Sequence, residues 1–285
     1  MLGLLPGIIV SLLSHVATGD MKPTLACGPE SSNCRPHPSL DEMQRRAAKW
    51  KQLKVEQIMD FPAVFVLRGF LKSAELRKLR DFVYSEEETP MAGGMSMVGP
   101  PNALDIAPAI NKRMAVLAGL PKSSVEDGHF NIRNPESKAS VHQDNNMKDD
   151  DFHRVASFVV YIDGEEEGLV GGQTVFPFLN FSSGSRVKQV SEAKLAKWDK
   201  LLNTQPSLDD HKRLPGRYCS DQKQYDRGDL CRPLLKLTRQ ACTTQASNHG
   251  VMPRAGDAVL FYHLGEGSKL TNLALHGSCG VSAGR

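Results

Sequence analysis

The sequence predicts an α+β protein in which helices support a sandwich or jelly roll of short strands. Helical patterns fill the N-terminal third, and from about His129 onward they give way to short segments rich in β-branched and aromatic residues. Many short strands in succession are typical of a β-sandwich or jelly roll. The predicted strands after the helices are His129–Ile132, Ser157–Ile162, Gln173–Phe176, Ala258–Tyr262 and Leu273–His276.

The composition is that of an ordinary globular protein. The chain has 285 residues, of which 40% are hydrophobic and 24% charged, enough for one large domain or two small ones. Thirty-five Lys and Arg against 32 Asp and Glu leave a scattered net charge of +3. We therefore expect neither nucleic acid nor a membrane surface as a partner. A transmembrane helix needs roughly 20 apolar residues, so we also expect no membrane span.

The N-terminus has the pattern of a secretory signal peptide. Leu2 to Leu13 form an apolar run, and Ala17-Thr18-Gly19 supplies small residues before Asp20. This predicts a signal peptide over residues 1–19 and a protein of the endoplasmic reticulum lumen or the extracellular space. Pro6 interrupts the run and no Lys or Arg precedes it, so a buried N-terminal segment is the alternative.

A linker and an amphipathic helix are predicted for residues 20–60. The helix runs from Asp41 to about Met59, and its apolar positions are Met43, Ala47, Trp50 and Ile58. Residues 61–285 form the predicted main domain. It begins with the strand Ala63–Leu67, and a helix capped by Ser73 follows, with Leu76, Leu79 and Val83 on one face.

A loop rich in Gly, Met and Pro is predicted over residues 89–102. The next helix carries Ile106, Ile110, Met114 and Leu117 and ends at Gly119. Residues 179–250 are a polar insertion with three cysteines and a helix-like stretch, Glu192–Leu202. Six cysteines are an even number, which suits an oxidising compartment, and the local pairs we expect are Cys27–Cys34 and Cys219–Cys231. Free thiols are the alternative.

His142 and Asp144 are the first candidate metal ligands. On a strand, residues two apart point to the same face, so an imidazole and a carboxylate at this spacing can bind one ion. The pattern alone is weak, because a solvated loop contains it equally well. We interpret the histidines at positions 15, 37, 129, 153, 211, 249 and 263 as ordinary polar residues.

Further motifs follow in a fixed order. They are Arg154–Ile162, Gly171–Pro177, Pro253–Phe261 and Leu275–Val281. Together with His142-Gln143-Asp144 they resemble the prolyl 4-hydroxylase family, over about Phe61 to Arg285 without the insertion. The resemblance implies a double-stranded β-helix and peptidyl-proline 4-hydroxylation of a proline-rich substrate, with Fe(II), 2-oxoglutarate, O2 and ascorbate.

The resemblance also implies roles for individual residues. His142, Asp144 and His276 would be the iron ligands, a two-histidine, one-carboxylate set that leaves coordination positions open for a 2-oxo acid and O2. Thr174 and Tyr161 would line the 2-oxoglutarate pocket, and Arg154 would contact substrate. The alternatives are that Tyr161 is a core residue and that Arg154 pairs with the acidic residues 149–151.

Two positions depart from the family pattern. The family has a lysine ten residues after the distal histidine, which here is position 286, and a tyrosine where this chain has Arg133. Losing one partner of a buried ion pair costs roughly 3–5 kcal/mol, so another charge, from Arg133 or Arg285, is expected to bind the cosubstrate. The alternative for Arg133 is that it faces solvent. An incomplete chain, an inactive dioxygenase-fold binding module, and an oxygenase of lysyl or small-molecule substrates also remain open.

Overall fold

The computed structural model describes the chain in separate stretches. They are residues 9–18, 37–60, 62–86, 89–91, 95–99, 104–133, 140–142, 144, 153–164, 170–176, 179–180, 188–189, 238, 242, 250–264 and 274–282. The predicted helix Glu192–Leu202 and the predicted pairs Cys27–Cys34 and Cys219–Cys231 lie outside the described residues.

Helices and short strands make up the described residues. The helices are α1 (Leu40–Ala47), α2 (Ser73–Ser85) and α3 (Ala107–Ala118), and a 3-10 turn covers Lys122–Ser124. The first eight strands are β1 (Ile9–Thr18), β2 (Lys54–Asp60), β3 (Ala63–Arg68), β4 (Thr89–Met91), β5 (Met95–Val98), β6 (His129–Arg133), β7 (Ser140–His142) and β8 (His153–Tyr161). The others are β9 (Val170–Gly171), β10 (Thr174–Val175), β11 (Leu179–Asn180), β12 (Lys188–Gln189), β13 (Gly250–Val251), β14 (Ala258–Tyr262), β15 (His276–Ser278) and β16 (Val281–Ser282).

The strands form two main antiparallel sheets. The larger has eight strands in the order β2-β3-β14-β8-β1-β6-β5-β4, and the smaller has four in the order β13-β10-β15-β7. Two pairs, β11 with β12 and β16 with β9, stand apart from them. The antiparallel sheets agree with the predicted strand-rich region, whereas a double-stranded β-helix stays a prediction.

Two apolar clusters flank the larger sheet. On one face, residues of the helices, such as Met43, Leu79 and Met114, are buried with sheet residues such as Phe65 and Phe158. On the other face, residues of the larger sheet meet residues of the smaller one in a cluster that contains Val66, Tyr161, Phe176, Val251 and Phe261. The helices and the smaller sheet thus cover opposite faces of the larger sheet, and the metal-site motifs lie on the smaller-sheet side.

Several predicted elements are confirmed. Helix α3 ends where Gly119 adopts the left-handed conformation with φ 76°, as its sequence predicts. Helix α2 is present, but its N-cap is Lys72 rather than Ser73, and Glu75 accepts a hydrogen bond from the Lys72 backbone amide. The predicted strands at Ala63, His129, Ser157 and Ala258 are present as β3, β6, β8 and β14.

Two local predictions are wrong. The first helix ends at Ala47 instead of continuing to Met59, because Lys54–Asp60 pairs with β3 as an edge strand. The apolar residues Trp50 and Ile58 fit a helical and an extended pattern alike, and the hairpin decides between them. Residues 89–102, predicted as a loop, contain the paired strands β4 and β5.

The N-terminal segment forms a strand of the larger sheet. Strand β1 lies between β6 and β8, with Leu12 opposite Phe130 on one side and Val160 on the other. This placement corresponds to the alternative in which the segment belongs to the fold, while the signal peptide stays a prediction. No helix among the described residues is both long and apolar enough to cross a membrane.

Candidate metal centre

Two neighbouring strands of the smaller sheet carry the two candidate histidine ligands. His142 ends β7, His276 begins β15, and the two residues are direct partners in the antiparallel register. Directly opposite residues of a strand pair project to the same face of the sheet. The imidazole centroids are accordingly 4.4 Å apart. Asp144 follows His142 by two residues, so the paired strands β7 and β15, with the residues next to β7, supply a compact set of ligands.

The donor atoms of these three residues fit a single metal ion. The His142 Nε2 atom lies 3.2 Å from Asp144 Oδ1, and the His276 Nε2 atom lies 3.5 Å from Asp144 Oδ2. One ligand atom from each residue falls within 4.8 Å of the others. Facial ligands with bonds of about 2.1 Å place neighbouring donors about 3 Å apart. The observed spacing therefore suits a first-row metal with open coordination positions.

Burial keeps the distal histidine neutral. His276 is 4% exposed, and its desolvation lowers its pKa to about 3, although the charge of Asp144 opposes the shift. Its Nδ1 atom lies 3.1 Å from the carbonyl oxygen of Ala274. A carbonyl can only accept, so Nδ1 carries the proton and the Nε2 lone pair faces Asp144. This is the arrangement that metal-bound histidines commonly show.

Aromatic rings enclose the His276 side of the site. The Phe261 ring from β14 lies 4.4 Å from the His276 ring, and the Phe176 ring lies 6.1 Å from it. Both phenylalanines belong to the buried cluster between the two sheets. His142 is only partly buried, so the site is apolar behind His276 and more open beside His142.

Tyr161 and Thr174, both predicted to line the cosubstrate pocket, are in direct contact. The Tyr161 hydroxyl donates a hydrogen bond of 2.7 Å to Thr174 Oγ1, and both side chains are buried. Thr174 lies in β10, opposite Ser278 of β15. Tyr161 is also a member of the inter-sheet cluster. It therefore belongs to the core, as the alternative expected, and also contacts the predicted pocket residue Thr174.

Arg133 is a buried cation without a described counter-ion. Its side chain comes from β6 and only 8% of the residue is exposed, so the alternative that it faces solvent does not hold. Burial lowers its pKa to about 10, opposed only by the charge of Tyr161. Within the described part of the chain, its Nη1 atom has no hydrogen-bond partner.

Arg154, predicted to contact substrate, makes three hydrogen bonds inside the protein. Its Nε and Nη2 atoms donate to the two carboxylate oxygens of Glu126, and its Nη1 atom donates to the backbone carbonyl of Asp144, each at 2.8 Å. The acidic residues 149–151, its predicted alternative partners, lie outside the described residues.

Comparison with known proteins leaves the family open. No protein-family model matches the chain, and no curated protein matches it. The resemblance to the prolyl 4-hydroxylase family therefore stays a prediction from the sequence motifs.

Three residues near the centre were not predicted from the sequence to belong to the site. They are Glu126, Ser157 and His263. His263 is fully buried, its Nε2 atom lies 2.8 Å from Ser157 Oγ, and burial lowers its pKa to about 4. Its position two residues after Phe261 was the available signal, because alternate residues of a strand share a face.

A disulfide joins the insertion to a strand of the smaller sheet. Cys242 bonds to Cys279, which follows β15 directly. Cys279 is buried and its amide donates to the Gln173 carbonyl. The bond therefore fastens residue 242 to the chain segment that carries His276.

Proposed function

We propose that this protein is an Fe(II)- and 2-oxoglutarate-dependent dioxygenase that hydroxylates prolines in peptides or proteins. The observation that carries the proposal is the cluster of His142, Asp144 and His276, two imidazoles and one carboxylate at facial spacing. An iron(II) ion held there, together with 2-oxoglutarate and O2, would supply the oxidising power for hydroxylation, with succinate and CO2 as coproducts. Ascorbate, as in the family, would keep the iron reduced.

The protein's own contribution begins with the state of its ligands. Metal binding needs neutral imidazoles, and the low pKa of His276 keeps that ring neutral throughout the physiological range. The Ala274 carbonyl fixes its tautomer. Three protein ligands on one side of an ion would leave the other side for the cosubstrate and O2.

The cosubstrate would lie between the metal and Arg133. We place the far carboxylate of 2-oxoglutarate on the Arg133 guanidinium, since no counter-ion of this buried cation is found among the described residues and an anionic ligand would stabilise it. Arginine binds carboxylates through two parallel hydrogen bonds. The Tyr161 hydroxyl is committed to Thr174 as a donor, so the Thr174 hydroxyl hydrogen can point to a ligand oxygen.

Exclusion of water from the reacting atoms would fall to the aromatic side chains. Phe176 and Phe261 cover His276 from the inter-sheet cluster. In our proposal the two sheets are the halves of a double-stranded β-helix, and His142, Asp144 and His276 would hold the metal between them. The peptide would approach from the open side, beside His142.

The decisive experiment combines turnover with a choice of substrates. The full chain is incubated with Fe(II), ascorbate, 2-oxoglutarate and O2, and with one of three peptides: a proline-rich peptide, the same peptide with alanine for proline, or with lysine for proline. Succinate and the mass of the peptide are measured, and Asp144→Ala is the control protein.

The proposal expects succinate and one added oxygen with the proline peptide alone, and neither with Asp144→Ala. Oxygen on the lysine peptide would instead favour a lysyl hydroxylase. Metal binding by the wild-type protein without oxygen on any peptide would overturn the peptide hydroxylase, and the additional absence of succinate would favour a binding module.

A further inference from the structure

Arg154 is occupied on all three of its nitrogens. Two of them form a bidentate pair with Glu126, and the third donates to the Asp144 carbonyl oxygen. The hydrogen bonds are short and charge-assisted, which makes them stronger than neutral ones. These bonds use three of the five N–H donors of the guanidinium, and Glu126 occupies the Nε–Nη2 edge that could otherwise bind a substrate carboxylate through two hydrogen bonds.

These contacts connect three distant parts of the chain. Arg154 lies near the start of β8, Glu126 follows the 3-10 turn that precedes β6, and Asp144 follows β7. The turn is itself fixed by a hydrogen bond from the Val125 amide to the Lys122 carbonyl. The Arg154–Glu126 pair thus ties the Asp144 backbone to ordered secondary structure.

The atom that Arg154 contacts at Asp144 is the important detail. It is the backbone carbonyl oxygen, whereas both carboxylate oxygens lie toward the two histidines. The bond therefore fixes where the residue lies without competing for its ligand atoms. Glu126 also balances the positive charge, which would otherwise repel a cation bound nearby.

We infer that Arg154 and Glu126 are positioning residues, which hold the Asp144 backbone so that its carboxylate meets both histidines, and that Arg154 is not a substrate-binding residue. The inference rests on the metal site of the proposed function and is independent of what that site oxidises. Outer residues that orient metal ligands typically contribute 10–100-fold to metal affinity.

The test measures metal affinity and substrate affinity separately. Co(II), a spectroscopic substitute for Fe(II), is titrated into the wild-type protein and into Arg154→Gln, Arg154→Lys and Glu126→Gln, and its visible absorption gives the dissociation constant. The KM for the proline-rich peptide is then determined at saturating Fe(II). Thermal unfolding of each variant shows whether it is folded.

Arg46 provides a matched control. It also joins a glutamate, Glu42, to a backbone carbonyl, that of Leu117, and its side chain is 23% exposed against 25% for Arg154. It belongs to α1, which packs on the helix side of the larger sheet. Arg46→Gln removes the same two kinds of contact, one to a carboxylate and one to a backbone carbonyl, away from the metal ligands.

We expect Co(II) binding to weaken about 10–100-fold in Arg154→Gln and Glu126→Gln, less in Arg154→Lys, and not in Arg46→Gln, with the peptide KM unchanged. Unaltered Co(II) affinity in a folded Arg154→Gln protein would overturn the inference. If Arg154→Gln had a raised KM for the peptide and the wild-type affinity for Co(II), Arg154 would be a substrate-binding residue instead. If the wild-type protein bound no metal, the proposed function would fail, and this inference with it.

Discussion

Arg133 in β6 and Arg154 in β8, the two strands that flank β1, are in opposite circumstances. Arg154 is partly exposed, and each of its nitrogens has a partner inside the protein. Arg133 is buried, and its Nη1 atom has no partner among the described residues. An arginine whose three nitrogens are all hydrogen-bonded stabilises the fold. A desolvated arginine without a counter-ion lowers the stability of the fold unless a bound ligand supplies the opposite charge. This contrast is the reason that we propose a positioning role for Arg154 and a cosubstrate-binding role for Arg133.

The largest expected effect is on cosubstrate binding. Arg133→Met should weaken 2-oxoglutarate binding by about two to four powers of ten, because the far carboxylate would lose its cation in a buried place. A 2-oxo acid of the same chain length without the far carboxylate, 2-oxopentanoate, should bind both proteins equally. Calorimetric titration of the metal-loaded proteins measures both ligands. An equal loss for both acids would show that Arg133 does not read the far carboxylate.

A third arginine sharpens the comparison through stability. Arg113 is as buried as Arg133 but pairs with Glu75 through two hydrogen bonds, of 2.8 and 3.0 Å. Arg113→Met should lower the free energy of unfolding by about 3–5 kcal/mol, because Glu75 would be left without its partner. Arg133→Met should leave the stability of the ligand-free protein unchanged or raise it. Urea denaturation of the two variants compares them, and equal losses would mean that Arg133 has a counter-ion in the folded protein.

The smallest expected effect is the pH dependence of stability due to His263, a buried side chain that, unlike arginine, is readily neutral. Burial lowers the pKa of His263 to about 4, so below its usual pKa of 6.5 the unfolded chain binds a proton that the folded protein does not. Stability is therefore highest above pH 6.5 and falls with acidification. His263 should account for about 1.4 kcal/mol between about pH 7.5 and 5.5. Denaturation of the metal-free protein at both pH values measures the total change.

The matched variant for that measurement replaces both hydrogen-bonded partners. Ser157→Ala with His263→Phe removes the titrating group without leaving a hydroxyl unpaired, and His276 titrates equally in both proteins. The loss of unfolding free energy between pH 7.5 and 5.5 should be smaller in the double variant by about 1.4 kcal/mol. An unchanged pH dependence would show that His263 is protonated in the folded state as readily as in the unfolded chain.

Local patterns predicted those parts of the molecule that depend on neighbours in sequence. The end of α3 at Gly119, strand β14 and the closeness of His142 to Asp144 follow from spacings of a few residues. His276 was found only through its motif, since 134 positions separate it from His142 and only the pairing of β7 with β15 unites them. The order of the motifs thus predicted a contact between His142 and His276 that periodicity cannot predict.

The remaining features depend on long-range contacts that a single sequence does not encode visibly. In the sequence, Glu126 has no feature that predicts its contact with Arg154. The residues of β2 have a helical pattern, and only their pairing with β3 shows that they form a strand. The contact between Arg154 and Asp144 uses a backbone oxygen, which every residue has. The identity of residue 144 therefore gives no information about this contact.

The central place of β1 has a consequence for the order of folding. Ser11 is opposite Tyr161 in one neighbouring strand and Asn131 in the other. Among the described pairings, β1 alone joins the β4-β5-β6 group to the β8-β14-β3-β2 group. Contacts between residues so distant in sequence form slowly, because a long loop must close before the pairing compensates for it. The larger sheet can therefore become continuous only when β1 has paired with both groups, each across a long loop.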